Sequence, residues 1–89
     1  MLEVERTNQF KRDWKLLQKR GKDPAKLRDI ILKLSATEIL ATRYRDHNLS
    51  GNYKGTRECH IEPDWLLIYS KTDTILRLER TGSHADLFN

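Results

Sequence analysis

The stretch from Cys59 to Tyr69, CHIEPDWLLIY, constrains the fold more than any other part of the chain. It contains the longest apolar run, Trp65 to Tyr69. A short apolar run that starts just after a proline turn reads as a buried strand. Residues 53–61 also read as extended. Glu62-Pro63-Asp64 is then a tight corner between two antiparallel strands. Pro63 fixes φ near about −65°, which suits the second position of a type I turn. It cannot take the positive φ of a type I′ turn, so a loop of roughly three or four residues is expected. The corner sets an imidazole, His60, and a carboxylate, Asp64, on opposite sides of one turn. That pairing, on the rim of a buried strand, is the most chemical-looking feature of the sequence.

Upstream, residues 1–6 alternate in part, with Leu2 and Val4 on one face, and predict a short strand. Thr7 or Asn8 can cap the helix that follows. Phe10, Trp14 and Leu17 recur at helical spacing and form one apolar stripe. Gly21 is a natural stop. Asp23-Pro24 is a strong start signal for a second helix, whose apolar face is Leu27, Ile30, Ile31 and Leu34. A short link between the two predicts a helical hairpin. Residues 37–52 show no clear element, and a loop of that length reads as functional. Downstream of the corner strands, residues 74–80 alternate, with Leu76 and Leu78 on one face, and make a third strand of a meander. Residues 81–84 break it, and residues 85–88 read as a short helical turn. The expected class is α+β: two N-terminal helices packed on a mainly antiparallel sheet, in the order β-α-α-β-β-β.

At 89 residues the chain makes one domain, 1–89, with a small core. Lys and Arg outnumber Asp and Glu 17 to 13, giving a net charge of +4, compatible with a polyanionic partner. The basic side chains of the helices, Lys11, Arg12, Lys15, Lys19, Arg20, Lys26, Arg28 and Lys33, are candidates for nucleic-acid contacts or for a solvated surface. The single cysteine, Cys59, excludes an internal disulfide and fits a reducing compartment. Its place in a strand reads as a buried, inert thiol. No apolar stretch approaches the roughly 20 residues of a membrane span, and the N-terminus lacks a signal-peptide core. A cytoplasmic, soluble protein with no membrane contact is expected.

Three histidines, His47, His60 and His84, lie beside turns or loops, each with an acid nearby in sequence: Asp46, Asp64 and Asp86. Histidine suits proton transfer near neutral pH, although composition alone reads all three as solvated surface side chains. Their spacing does not match the close-set ligand patterns of zinc sites, so no metal is expected. Arg80 follows an alternating strand and would share a face with Leu76 and Leu78 if the alternation continued. It needs an anion partner or an exit to water. Phe88 can close the core or stack on a base. Trp14 and Trp65 read as core.

Three segments, Arg45 to Gly51, Lys54 to Tyr69 and Arg77 to His84, resemble the YafQ branch of the RelE-like toxins of bacterial type II toxin–antitoxin modules. The resemblance runs over nearly the whole chain, with its motifs in the family's order. Asn48 stands where the family commonly has a proline after the first histidine. The resemblance implies a RelE-like fold and a ribosome-dependent mRNA endonuclease that cuts in the ribosomal A site, with no metal or cofactor. It implies as partners the ribosome, mRNA and a cognate antitoxin, the toxin–antitoxin pair binding operator DNA. Its functional positions fall on His47, His60, Asp64 and His84 as an acid–base set, Arg80 as charge stabiliser and Phe88 as a substrate-orienting aromatic. Two other readings stay open: a non-catalytic RelE-fold module that binds nucleic acid or a partner, and a metal-dependent hydrolase.

Overall fold

The computed structural model describes residues 1–88. The elements are β1 (Glu3–Arg6), α1 (Asn8–Lys19), α2 (Pro24–Ser35), β2 (His47–Asn48), β3 (Arg57–Glu62), β4 (Trp65–Lys71), β5 (Ile75–Gly82) and α3 (His84–Phe88). The strands form one sheet in the order β1-β5-β4-β3-β2. β1 runs parallel to β5, and every other neighbouring pair is antiparallel. The expected α+β class and mainly antiparallel sheet are what the chain forms.

Local signals set the helix ends. Thr7 Oγ1 accepts from the Phe10 N–H at 2.9 Å and so caps α1, while donating to the Glu79 carbonyl of β5. Gly21 takes a φ of 87° just past α1, a conformation that costs glycine little. Asp23 Oδ1 accepts from the Ala25 N–H at 2.9 Å, and Pro24 opens α2. The two helices do not close on each other as a tight hairpin. α1 lies along β5 and α2 meets β3, so the pair spreads across one face of the sheet.

That face holds the main core. Phe10, Leu17, Leu27, Ile30 and Leu34 of the helices pack on Cys59, Trp65, Leu67, Tyr69, Leu76 and Leu78 of the sheet. Trp14 stacks on the buried Trp65 at 5.9 Å with 4° between the planes. Cys59 is fully buried, and desolvation pushes its thiol up to about 12, which makes it inert as a nucleophile. The opposite face is thinner. Leu66 and Ile68 are covered by Leu87 of α3, with Leu49 and Tyr53 at the margin.

Four expectations are corrected. The corner between β3 and β4 is two residues long, Pro63-Asp64, with Glu62 paired to Trp65. Neither residue has positive φ. A bulge between His60 and Glu62 supplies the extra twist that a primed turn would otherwise give. Residues 53–56, expected as extended, instead end a 3-10 turn and form a hydrogen-bonded turn from the Thr56 N–H to the Tyr53 carbonyl, so β3 starts only at Arg57. β5 runs on to Gly82, past the expected break. The loop 37–52 is not featureless: two 3-10 turns flank a two-residue strand, β2, that adds to the sheet edge.

Candidate active site

The register of the sheet places the candidate residues. His47 pairs with Glu58, Glu58 with Ile68, and Ile68 with Arg80, one row across four strands. The next row is His60, Leu66 and Gly82. Both rows share the face of Leu66 and Ile68, the face away from α1 and α2. Arg80 therefore does not share a face with Leu76 and Leu78. A register shift opposite Glu79 interrupts the alternation, so Arg80 emerges on the other side.

The hydrogen bonds assign partners that the sequence spacing does not. Asp64 does not serve His60. Its Oδ1 accepts from the His84 N–H at 2.9 Å and lies 2.7 Å from His84 Nδ1. The backbone N–H first, and the ring second, hold the Asp64 carboxyl below the usual carboxylate range. An ionised carboxylate only accepts, so His84 Nδ1 carries a proton and Nε2 is the ring nitrogen not engaged by Asp64. The corner thus delivers Asp64 across to α3, and the expected His60–Asp64 pair is replaced by a His84–Asp64 pair.

His60 has a different carboxylate. Glu58 Oε2 lies 3.0 Å from His47 Nε2 and 3.9 Å from His60 Nε2. Glu58 is only 5% exposed, and its Oε1 has no hydrogen-bond partner among the described residues. His47 Nδ1 lies 2.6 Å from the Arg45 carbonyl, which fixes a proton on that nitrogen. Its Nε2 faces Glu58 Oε2 at hydrogen-bond distance, a geometry in which the two can share a proton. The His60 ring lies between the other two, its centroid 6.5 Å from His47 and 5.6 Å from His84.

The supports come from outside the cluster. Asp46 Oδ1 accepts from Arg57 Nε at 3.2 Å and from Tyr69 O–H at 2.6 Å, pinning the loop that carries His47. Arg80 is clamped by Asp13 of α1: Nε to Oδ2 at 2.7 Å and Nη2 to Oδ1 at 3.2 Å. This hydrogen-bonded pair raises the Arg80 pKa further and leaves Nη1 turned to the Tyr53 hydroxyl at 3.4 Å. α3 is closed at its start by a reciprocal cap. The Ser83 N–H donates to Asp86 Oδ2, and the Asp86 N–H donates to Ser83 Oγ. A Cβ on Gly82 would come within 2.9 Å of the Asp86 Cβ, so this cap requires glycine there. Phe88 does not close the core. Leu87 does that, and Phe88 stays 46% exposed, edge-on to Tyr53 at 5.6 Å and 6.4 Å from the His84 ring.

His47, His60, Asp64 and His84 are thus gathered at one end of the open face, with Arg80 across Ile68 and Phe88 at the margin. Glu58 and Asp13 are the members that sequence reasoning missed. Glu58 had a signal, since two residues along a strand from His60 share its face. Asp13 lies 67 residues from Arg80, and nothing in the sequence links them.

The geometry has close counterparts. A family model described as the YafQ toxin of bacterial type II toxin–antitoxin systems matches residues 2–89. The mRNA interferase toxin YafQ of Escherichia coli K12 is 49% identical over 87 residues, 97% of this chain and 95% of that protein. The crystal structure of the E. coli DinJ–YafQ toxin–antitoxin complex contains a chain 48% identical, with a TM-score of 0.91, covering 99% of this chain and 98% of that one. A metal-bound toxin of Helicobacter pylori is 41% identical, with a TM-score of 0.92, over 99% of this chain and all of that one. This chain belongs to the YafQ family of toxins of bacterial type II toxin–antitoxin systems.

Proposed function

We propose that the protein is a ribosome-dependent mRNA interferase that cuts by metal-independent acid–base catalysis. The observation that carries this reading is the two-ended proton arrangement on one open sheet face. His84, with Nδ1 tied to Asp64, leaves Nε2 as the nitrogen to take a proton. Glu58 and His47 can share a proton at the other end, beside His60. RNA cleaves when its 2′-OH attacks the adjacent phosphate, with one proton removed and another delivered to the leaving 5′ oxygen. His84 takes the first proton. His60 gives the second and is resupplied from the Glu58 side rather than from Asp64. Each transfer is worth roughly 10²–10⁴-fold. Arg80, clamped by Asp13 along one edge, turns its remaining N–H donors to the charge that builds on the phosphorane. Phe88 offers an exposed ring for a base to stack on.

The face is open, and alignment of the substrate is left to the ribosome. A groove of about 560 Å³ beside His60, lined by Lys26, Arg43, Tyr44, Arg45 and Glu62, gives the strand a partly basic approach. Lys11, Lys15, Lys19 and Arg28 have no ion pair among the described residues and are the cations offered to ribosomal RNA. Arg20, Lys26 and Lys33 are engaged with Asp86, Glu62 and Asp29, so they weaken the footprint the sequence suggests. A cognate antitoxin is the protein partner, as DinJ is for the E. coli toxin. The pair binding operator DNA is part of the same proposal. Metal binding, as in the H. pylori toxin, is on this reading no step of the reaction.

The test is cleavage mapping in a reconstituted translation system. Cuts are expected in mRNA positioned in the ribosome and to disappear with His84→Ala. Equal rates on naked and ribosome-bound RNA overturn the ribosome dependence. Undiminished cutting by the variant overturns the role of His84.

A further inference from the structure

We propose that Tyr53 is a positioning residue, whose hydroxyl joins Arg80 to α3 and so sets the charge stabiliser in register with His84 and Phe88. The inference rests on the acid–base reading above, in which Arg80 meets the phosphorane.

One hydroxyl makes two unlike contacts. It donates to the Leu87 carbonyl at 3.2 Å and accepts from Arg80 Nη1 at 3.4 Å. A phenol has a single proton to give, and an arginine only donates. Once the phenol proton goes to α3, the oxygen turns lone pairs toward the guanidinium. The contacts therefore support each other, and the docking of α3 fixes the polarity of the contact at Arg80. The ring adds an edge-on contact to Phe88, with centroids 5.6 Å apart. Tyr53 thus meets the end of α3 through both its hydroxyl and its ring. β5 carries Arg80 and leads through Ser83 into α3, so the joint closes a loop between the two.

The chain holds Tyr53 in place for this. Tyr53 ends the 3-10 turn Gly51–Tyr53, whose first residue has a φ of 66° that suits glycine. The Tyr53 carbonyl accepts from the Thr56 N–H at 3.0 Å and from the Thr56 hydroxyl at 2.5 Å. Its ring packs at the margin of Leu66, Ile68 and Leu87.

At Arg80 the hydroxyl completes a partial hold. Asp13 engages Nε and Nη2 and sets the plane of the guanidinium. Tyr53 engages Nη1 and sets how the outer end sits relative to α3. One N–H on each terminal nitrogen remains, enough for a bidentate hold on a phosphate. A groove of about 350 Å³ runs beside Arg80 and Tyr53, lined also by Asn52 and Lys54. Without the hydroxyl, Nη1 turns to water in that groove instead of being held for the charge that builds on the phosphorane. The loss belongs to the chemical step and not to docking on the ribosome.

The experiment is a double-mutant cycle in single-turnover cleavage on programmed ribosomes, with Tyr53→Phe, Arg80→Ala and both together. Phenylalanine keeps the ring against Phe88 and removes only the hydroxyl. Tyr53→Phe is expected to slow cleavage at saturating ribosome by about tenfold, the scale of one hydrogen bond to a charged group. The ribosome concentration that gives half the maximal rate should not change. In the Arg80→Ala background the same change is expected to cost less than about twofold. An equal cost in both backgrounds means that Tyr53 only props α3, and it overturns the joint. A normal rate for Tyr53→Phe beside a slow Arg80→Ala also overturns the joint and leaves the acid–base reading standing. A normal rate for Arg80→Ala removes the charge stabiliser from that reading, and the joint falls with it. Should Tyr53→Phe fold poorly, the unaltered toxin carries the test. Side-chain NMR of the antitoxin-free protein should then show slow rotation about the Arg80 Cζ–Nη1 bond, and rapid rotation overturns the contact.

Discussion

The two faces of the sheet are built from the same strands by opposite rules. On the helix side Cys59, Trp65, Leu67, Tyr69, Leu76 and Leu78 form a continuous dry layer under α1 and α2. On the other side, among the described residues, the buried apolar strand positions are Leu66 and Ile68, beneath Leu87 of α3 and flanked by Leu49 and Tyr53. Around that small plug stand His47, Glu58, His60 and Arg80. Alternation along a strand makes such a division possible, since neighbouring residues face opposite sides. On the proposed acid–base reading, the division separates the face that keeps the chain's stability from the face that keeps its chemistry. Among the described residues, Glu58 Oε1 is the one buried side-chain nitrogen or oxygen without a hydrogen-bond partner.

The largest expected effect separates the faces by activity. His84→Ala or His60→Ala should each slow single-turnover cleavage by about 10²–10⁴-fold at saturating ribosome, with little loss of binding. Unfolding free energy should change by no more than about 0.5 kcal/mol for His84→Ala, because that side chain is half exposed. Arg80→Ala should also lower the rate, since its charge meets the phosphorane more strongly than the ground-state phosphate. Near-normal rates for all three would leave the binding-module reading in place of the enzyme. Leu67→Ala should do the reverse on the other face. Leu67 is fully buried, and its truncation should cost about 2–5 kcal/mol in urea unfolding while the folded fraction keeps its cleavage rate. A Leu67 variant that is stable but catalytically dead would dissolve the distinction between the faces.

The helix face was legible and the open face was only half so, for a physical reason. Periodicity reports burial, so Phe10, Trp14, Leu17 and the Trp65 to Tyr69 run were enough to place helices and strand on one core. The fold class followed from the order of those elements. The identities of the site residues came from the resemblance to a family, and their partners came from neither source. His60 and Asp64 look paired because four residues separate them, yet Asp64 lies across the corner against His84, 20 residues away. Unbroken alternation would set Arg80 beside Leu76 and Leu78, but a bulge near the strand end cancels it, and a bulge has no periodic signature. The strand β2 was invisible because two residues carry no period at all.

The smallest expected effect tests how firmly the thin face is closed. Among the described residues α3 is its helical cover, and α3 is tied down by Asp64 at His84 and by Asp86, which bonds Arg20 at 2.7 Å and the Ser83 N–H at 2.9 Å. The Arg20 hydrogen bond first, and the Ser83 N–H second, bring the Asp86 carboxyl down to about 2 in the folded protein. A folded pKa below the unfolded one means that the stabilisation is complete above the unfolded value, near 4, and is lost as pH falls through about 2. The pair is partly exposed, so water and salt screen it and the effect is modest. It should also be local. Acid should first loosen α3, carrying His84 and Phe88 with it, while the Trp14–Trp65 stack on the other face stays closed. Hydrogen exchange at the Leu87 amide, which donates to the Ser83 carbonyl at 3.2 Å, reports the first event. Near-ultraviolet circular dichroism of the stacked tryptophans reports the second. Asp86→Asn keeps the size of the side chain but removes the charge. Its exchange at Leu87, relative to global stability, should change less between about pH 4 and 2 than in the unaltered protein, the remaining change coming from the Asp64 carboxylate that holds the His84 N–H. If both probes move together in both proteins, α3 is part of one cooperative unit with the core, and the two faces are not independently stable.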